Sequence, residues 1–308
     1  MVTAEKPATE NEQGVSSDAP PSPHVEHQPG CRCKSAALPA WYAATWPVRW
    51  AMNAWLVAHG RAPIHVVAYH RVADDGATRW TTSNAVFRRQ IAWLKERYEL
   101  VSLKEAQLRV ADEENRQPTV SITFDDGYAE NCDQTLPLLL RHRIPLTYFV
   151  TSRAVLDGEH FQHDLNLGLR LPPNTPVQLR ELAAAGVEIG AHTQTHADLG
   201  KLNDPQRLYD EVVGARDDLQ AALGCRVRYF AFPFGQHANL SRAAFALAAE
   251  AGYEAVVSAY GGCNFPGDDT FHLQRPCVDG PEMRLKNWVT LDPYKFLTIP
   301  RYQYRNQP

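Results

Sequence analysis

Thr119-Val120-Ser121-Ile122-Thr123-Phe124-Asp125-Asp126-Gly127 begins as a β-rich apolar run and ends on two adjacent carboxylates and a glycine. Neighbouring residues on a regular strand point to opposite faces, so the two carboxylates share a pocket only if the chain turns as it leaves the strand. Gly127 can take the dihedrals such a turn needs. Two close carboxylates repel, and one pKa rises unless a cation offsets the charge. A metal held by one would leave the other ionised and able to act as a base. Taken alone, Asp-Asp-Gly also reads as a surface turn with local hydrogen bonds.

Working outward, comparable runs recur on both sides. Strands are predicted near Ile64–His70, Thr119–Asp126, Leu146–Thr151, Val187–His192, Tyr229–Phe234, Ala255–Ala259 and Phe271–Val278. Between them, Ala85–Tyr98 carries Phe87, Ile91 and Leu94 at i, i+4 and i+7, and Pro205–Leu223 and Ala238–Ala251 carry similar helical stripes. Short strands alternating with helices predict βα units around a parallel sheet, either a barrel or an open α/β layer. No fixed repeat period is present, which removes solenoids and propellers. In both remaining folds, functional side chains gather where strands end.

A second polar cluster sits at another such end: His192-Thr193-Gln194-Thr195-His196 follows the apolar run Val187-Glu188-Ile189-Gly190-Ala191. Histidines four apart fall on one face of a helical turn, and neutral imidazole suits borderline metals such as zinc. The competing reading is two ordinary loop histidines. A carboxylate from Asp125-Asp126 at a different strand end would complete a metal set and favours the first reading.

The rest of the chain sets bounds. Its 308 residues can hold a large core, and 44% hydrophobic and 21% charged content with a formal charge of -4 fits a soluble globular protein. Nothing in that balance suggests a nucleic-acid partner. The six cysteines, Cys31, Cys33, Cys132, Cys225, Cys263 and Cys277, lack the density of a disulfide scaffold and read as free thiols. Residues 1–36 are polar and Pro-rich and are expected to form a disordered tail. Residues 37–60 form a Trp-rich amphipathic segment, with Trp41, Trp46, Trp50 and Trp55 around Pro47. Between 38 and 58 it could pack on the main domain or make peripheral membrane contact. A domain over 61–292 and an extension over 293–308 complete the division. No secretory signal and no membrane-spanning run of about 18 apolar residues is visible, so a cytoplasmic location, with or without membrane association, is expected.

The pair Thr123-Phe124-Asp125-Asp126-Gly127 and His192-Thr193-Gln194-Thr195-His196 resembles the polysaccharide deacetylase family, also called the NodB-homology family or carbohydrate esterase family 4. The resemblance covers roughly residues 64–290. It implies a distorted (β/α)7 barrel and metal-dependent removal of an N-acyl group, most often acetyl, from an amino sugar or glycan. By position it makes Asp125 the base and Asp126, His192 and His196 the ligands of a divalent metal, Zn2+ or alternatively Co2+. Val67-Ala68-Tyr69-His70-Arg71-Val72, followed by Phe87 and the helix around Gln90–Leu94, resembles the branch that modifies exopolysaccharides.

The third family motif, Arg-Pro-Pro-Tyr-Gly, has only a partial counterpart in Ala231-Phe232-Pro233-Phe234-Gly235. The resemblance gives the Phe234 N–H an oxyanion-binding role, but Ala231 stands where an arginine orients the base. Arg228 and Arg275 are the candidate replacements. For the acid, His272 on the last strand comes first, with His70 and then His237 as alternatives. Two competing functions stay open: a glycan-binding barrel with attenuated catalysis, and a deformylase acting on a lipid-linked amino sugar.

Overall fold

The computed structural model describes residues 31–299 and Tyr304, with side chains from residue 37. The expected disordered tail therefore lies largely outside the described residues. The first helix, α1 (Cys31–Ala58), starts inside the stretch 1–36 and runs through Pro39 and Pro47.

Ten strands follow: β1 (Ile64–Tyr69), β2 (Arg71–Val72), β3 (Thr81–Thr82), β4 (Glu99–Val101), β5 (Thr119–Phe124), β6 (Leu146–Val150), β7 (Glu188–Ala191), β8 (Tyr229–Ala231), β9 (Ala255–Val257) and β10 (His272–Leu273). Seven of them pair in parallel in the order β1-β5-β6-β7-β8-β9-β10. β4 adds to the first half of β5, while β2 and β3 form a separate pair. Beyond β10 the chain returns to β1, where Ala68 N–H donates to Pro276 O (3.0 Å) and Val278 N–H donates to Ala68 O (2.9 Å). These bonds draw the two ends of the strand order together into a nearly closed barrel. Each of the seven predicted strands overlaps one of the seven in this order. β4 was not foreseen, because three residues are too few to show a period.

Strand alternation sorts the side chains into two layers. Ile64, Val66, Phe149, Tyr229, Ala231, Ala255, Val257 and Leu273 form one buried cluster, inside the barrel. Their neighbours Val67, Tyr69, Ile122, Phe124, Tyr148, Ile189, Phe230 and Val256 belong to a larger cluster beneath the outer helices. Leu103, Ala106 and Val110 of the helix Leu103–Ala111 join the inner cluster. On the same helix, Gln107 Nε2 donates to Glu254 O and Thr270 O, just ahead of β9 and β10. The helix thus plugs the end where strands begin, which leaves polar groups the opposite end.

Gly190 has a packing reason to lack a side chain: a Cβ there would lie 2.4 Å from the Phe149 ring. Phe149 can therefore fill the barrel beneath the site. The predicted helix Pro205–Leu223 is interrupted by a π-helical turn at Asp210–Gly214, a local widening often found beside functional sites. Among the described residues no helix is long and apolar enough to cross a membrane.

Candidate active site

Asp125 and Asp126 leave the end of β5 in different directions. Asp125 continues the sheet, donating its N–H to Tyr69 O (2.8 Å), whereas Asp126 adopts φ 73° and turns its carboxylate elsewhere. Left-handed backbone at a residue other than glycine is sparsely populated and gathers at functional sites. Thr193, His196 and Phe234, from two other strand ends, share this conformation.

Asp126 Oδ1 stands 3.4 Å from His192 Nε2 and 3.3 Å from His196 Nε2. The three are the one group of potential metal ligands that comes together among the described residues. His192 Nδ1 lies 2.9 Å from Ala231 O. A carbonyl only accepts, so Nδ1 carries the proton, and the Nε2 of a neutral ring presents a lone pair towards Asp126. Asp126 Oδ1 is buried without a hydrogen bond of ordinary geometry. Buried oxygen and nitrogen acceptors facing one another fit a borderline divalent cation between them.

The segment joining the two histidines is a bend with positive φ at both Thr193 and His196, not the helical turn that their spacing suggested. Glu211, in the π-helical turn, explains the difference. Its Oε2 accepts from Gln194 N–H and Thr195 N–H, both at 2.9 Å, and Oε1 accepts from the Thr195 hydroxyl. A buried carboxylate thereby takes the backbone donors a helix would have used.

Asp125 is gripped by Arg275. Nη1 lies 2.7 Å from Oδ1 and Nη2 lies 2.6 Å from Oδ2, with neither residue more than slightly exposed. The guanidinium also donates to Ser258 O and the Thr123 hydroxyl and lies over the Phe149 ring. Burial alone would raise the Asp125 pKa; the Arg275 charge and, after it, those of His192 and His70 override it and hold the carboxyl below its usual range. Arg228, the other proposed replacement for the family arginine, is instead paired with Glu188.

His70 follows β1, beside Asp125. Its Nδ1 is 2.7 Å from Asp279 Oδ2, and its N–H donates to Asp279 Oδ1. Burial pulls the imidazole pKa down, but the charge and hydrogen bond of Asp279 outweigh this and leave it well above the ordinary 6.5. His272 contacts Ser258 Oγ through Nε2 and stands edge-on to Phe245 of the outer helix Arg242–Glu250, so its ring faces the helical layer. His237 is exposed and beside Tyr260. Of the three candidates, His70 is placed beside Asp125 with its imidazole on Asp279.

Beside His196, a groove is lined by Arg153, Phe161, Gln162, His163, Asn166 and Phe234. Phe161 and His163 stack with centroids 5.3 Å apart, and Phe234 stands 5.0 Å from His196 with half its surface exposed. The exposed Phe234 ring with polar walls beside it suits a ligand carrying both apolar faces and hydroxyls.

A model of the polysaccharide deacetylase family matches residues 112–256, the stretch that contains Asp125, Asp126, His192, His196 and Phe234. Over that stretch the chain is similar to the polysaccharide deacetylase family. Among similar proteins, the putative polysaccharide deacetylase YxkH of Bacillus subtilis is 24% identical over 60% of this chain and 61% of its own length. A chitooligosaccharide deacetylase of Bradyrhizobium is 31% identical over 38% of this chain and 46% of its own. The chain thus spans less than two thirds of these curated relatives. In fold it is similar to IcaB from Ammonifex degensii, with a TM-score of 0.60 and 23% identity covering 75% of this chain and 96% of that one. The Streptococcus pyogenes deacetylase PplD superposes with a TM-score of 0.61 at 19% identity, covering 74% of this chain and 99% of that one.

Within this site, the partners missed by sequence reasoning are Asp279 and Glu211. Asp279 is 209 residues from His70. Only its place just after the last predicted strand could have drawn attention to it.

Proposed function

We propose that the protein hydrolyses the N-acetyl group of an amino-sugar residue in a glycan, using a divalent cation held by Asp126, His192 and His196. The reading rests chiefly on the buried two-point pairing of Asp125 with Arg275 beside that trio. It supplies the arginine whose loss at Ala231 had favoured a glycan-binding barrel with attenuated catalysis.

A cation in the trio would supply Lewis acidity to the amide carbonyl and to the attacking water. Asp125, ionised and fixed in orientation by Arg275, takes the proton from that water. The Phe234 N–H is the candidate donor to the oxyanion of the tetrahedral intermediate, a contribution on the order of 3 kcal/mol for one preorganised group. His70, kept protonated by Asp279, gives its proton to the departing nitrogen. Sugar rings stack on the exposed Phe234 side of the groove, and Arg153, Gln162 and Asn166 bond their hydroxyls. Acetate and a free amine are the products.

The test is acetate release from N-acetylglucosamine oligomers, nucleotide-linked and lipid-linked N-acetyl sugars, before and after chelation and with added zinc or cobalt. Activity that depends on the metal and disappears in Asp125→Asn, while that variant still binds metal, is the expected outcome. Full activity of chelated protein would overturn the reading.

A further inference from the structure

From Ala37 to Ala58 helix α1 is apolar on most of its circumference, yet the described residues cover only one side of it. A helix of that composition ordinarily lies wholly buried. On the covered side, Arg49 is fully buried, with Nη2 2.8 Å from Asn287 Oδ1 and 3.5 Å from Asp292. Trp41 Nε1 donates to Asp292, and Leu56 packs with Phe265 and Leu291. These contacts tie the helix lengthwise to the domain.

The uncovered side has no charged residue from Ala37 to Ala58, because the lone ionisable cation there, Arg49, is turned inward. Trp46, Trp50 and Trp55 stand out from it, Trp50 with 66% of its surface exposed, among alanines, Pro47 and Val48. The helix Pro293–Thr298, which packs beside α1, extends the patch with Tyr294 and with Leu297, 81% exposed. An apolar surface this continuous marks an interaction site.

We propose that this face seats the protein on an anionic lipid surface, with α1 lying in the headgroup region. Two observations select lipid over a second copy of the chain. The first is residue type: four of the seven tryptophans lie on α1, and tryptophan is the side chain most at home where acyl chains meet headgroups. The second is charge. The chain as a whole is net negative, yet neither 37–73 nor 293–299 contains an Asp or Glu, while Arg61 and Lys295 fall within them, and Glu114 beside Gly60 is paired with Arg116. The Arg61 and Lys295 cations beside this apolar face favour anionic headgroups, and they would repel their own copies across a symmetric interface. The docking is peripheral, since Arg49 fixes one side of α1 to the domain and no described helix can span a bilayer.

The proposal stands apart from the deacetylase reading, and so does its test. The full chain is mixed with phosphatidylcholine vesicles with and without 30–40 mol% phosphatidylglycerol (roughly a bacterial anionic fraction) and assayed by flotation. Expected are binding to the anionic vesicles that weakens with salt, and quenching of tryptophan fluorescence by brominated lipid. Trp46→Ser/Trp50→Ser/Trp55→Ser should lower partitioning by at least about tenfold while leaving the thermal transition in place. If the triple variant fails to fold, brominated-lipid quenching of the unaltered chain decides. No quenching and no flotation would overturn the proposal, as would a stable dimer that excludes lipid.

Discussion

Arg275 reaches Asp125 from just beyond the last strand, 150 residues along the chain, and holds both carboxylate oxygens at 2.7 and 2.6 Å. The pair is buried, so removing the cation leaves a carboxylate with no compensating charge. Arg275→Ala is expected to lower kcat by about 100-fold or more and to cost roughly 3–5 kcal/mol of stability. Arg275→Lys should recover stability better than activity, because an ammonium keeps the charge but not the two-point grip. Kinetics alongside chemical denaturation separate the two effects; an unchanged kcat in both variants would remove Arg275 from the mechanism.

For the trio, Asp126→Ala and the double variant His192→Ala/His196→Ala should each lose bound metal. Asp125→Asn should retain it and still fail to turn over. Metal analysis after dialysis against a weak chelator provides the check. Stoichiometric zinc in Asp126→Ala would exclude that carboxylate as a ligand.

Asp125, Asp126, His192 and His196 were legible because each lies at the end of an apolar run, where the strand period stops and polar residues have no packing reason to be. Their partners were not. Arg275 was only one of two candidates, beside Arg228, and Asp279 was not foreseen, because both join the site through barrel closure, a relation between the first and last strands that no local pattern encodes. The conformation between His192 and His196 was misread for a related reason. A four-residue spacing suggests a helical turn, but Glu211 takes the Gln194 and Thr195 N–H groups. Residues 37–60 were read as packing on the main domain or meeting a membrane. α1 packs on the domain through one face and leaves the other uncovered.

Glu211 leads to a third prediction. Glu211→Ala frees two backbone N–H groups and lets the His192–His196 segment relax, so metal affinity should fall by about 10- to 100-fold, the range seen when groups supporting ligands are lost. Competition with a fluorescent zinc chelator measures it. Unchanged affinity would show that the bend holds its shape without the carboxylate.

The His70–Asp279 pair can be tested through pH. A raised imidazole pKa means that His70 stays protonated through neutrality and loses its proton only on the alkaline side. As the acid, it should therefore set the alkaline limb of kcat/KM. Asp279→Asn removes the charge that opposes desolvation, so the limb should move to lower pH, and His70→Ala should abolish it along with most turnover. An alkaline limb unmoved in Asp279→Asn would assign the acid elsewhere.

A second histidine behaves in the opposite sense. His65, on β1, is fully buried, with its ring edge-on to Tyr98 and neither nitrogen in a hydrogen bond of ordinary geometry. Desolvation, offset only in part by the Val289 backbone, lowers its pKa from 6.5 to about 3. Between those values the unfolded chain binds a proton that the folded chain refuses, so stability falls as pH drops through the window. Asp125 also loses stabilisation in acid, but its pKa is depressed below 3.8, so that loss begins only near the unfolded carboxylate value. The interval from about pH 6.5 to 4 therefore belongs mainly to His65 among these groups. His65→Phe preserves a ring against Tyr98 and has nothing to titrate, so its melting temperature should fall less than that of the unaltered chain over this interval. Parallel melting curves in the two proteins would show that His65 accepts its proton without unfolding.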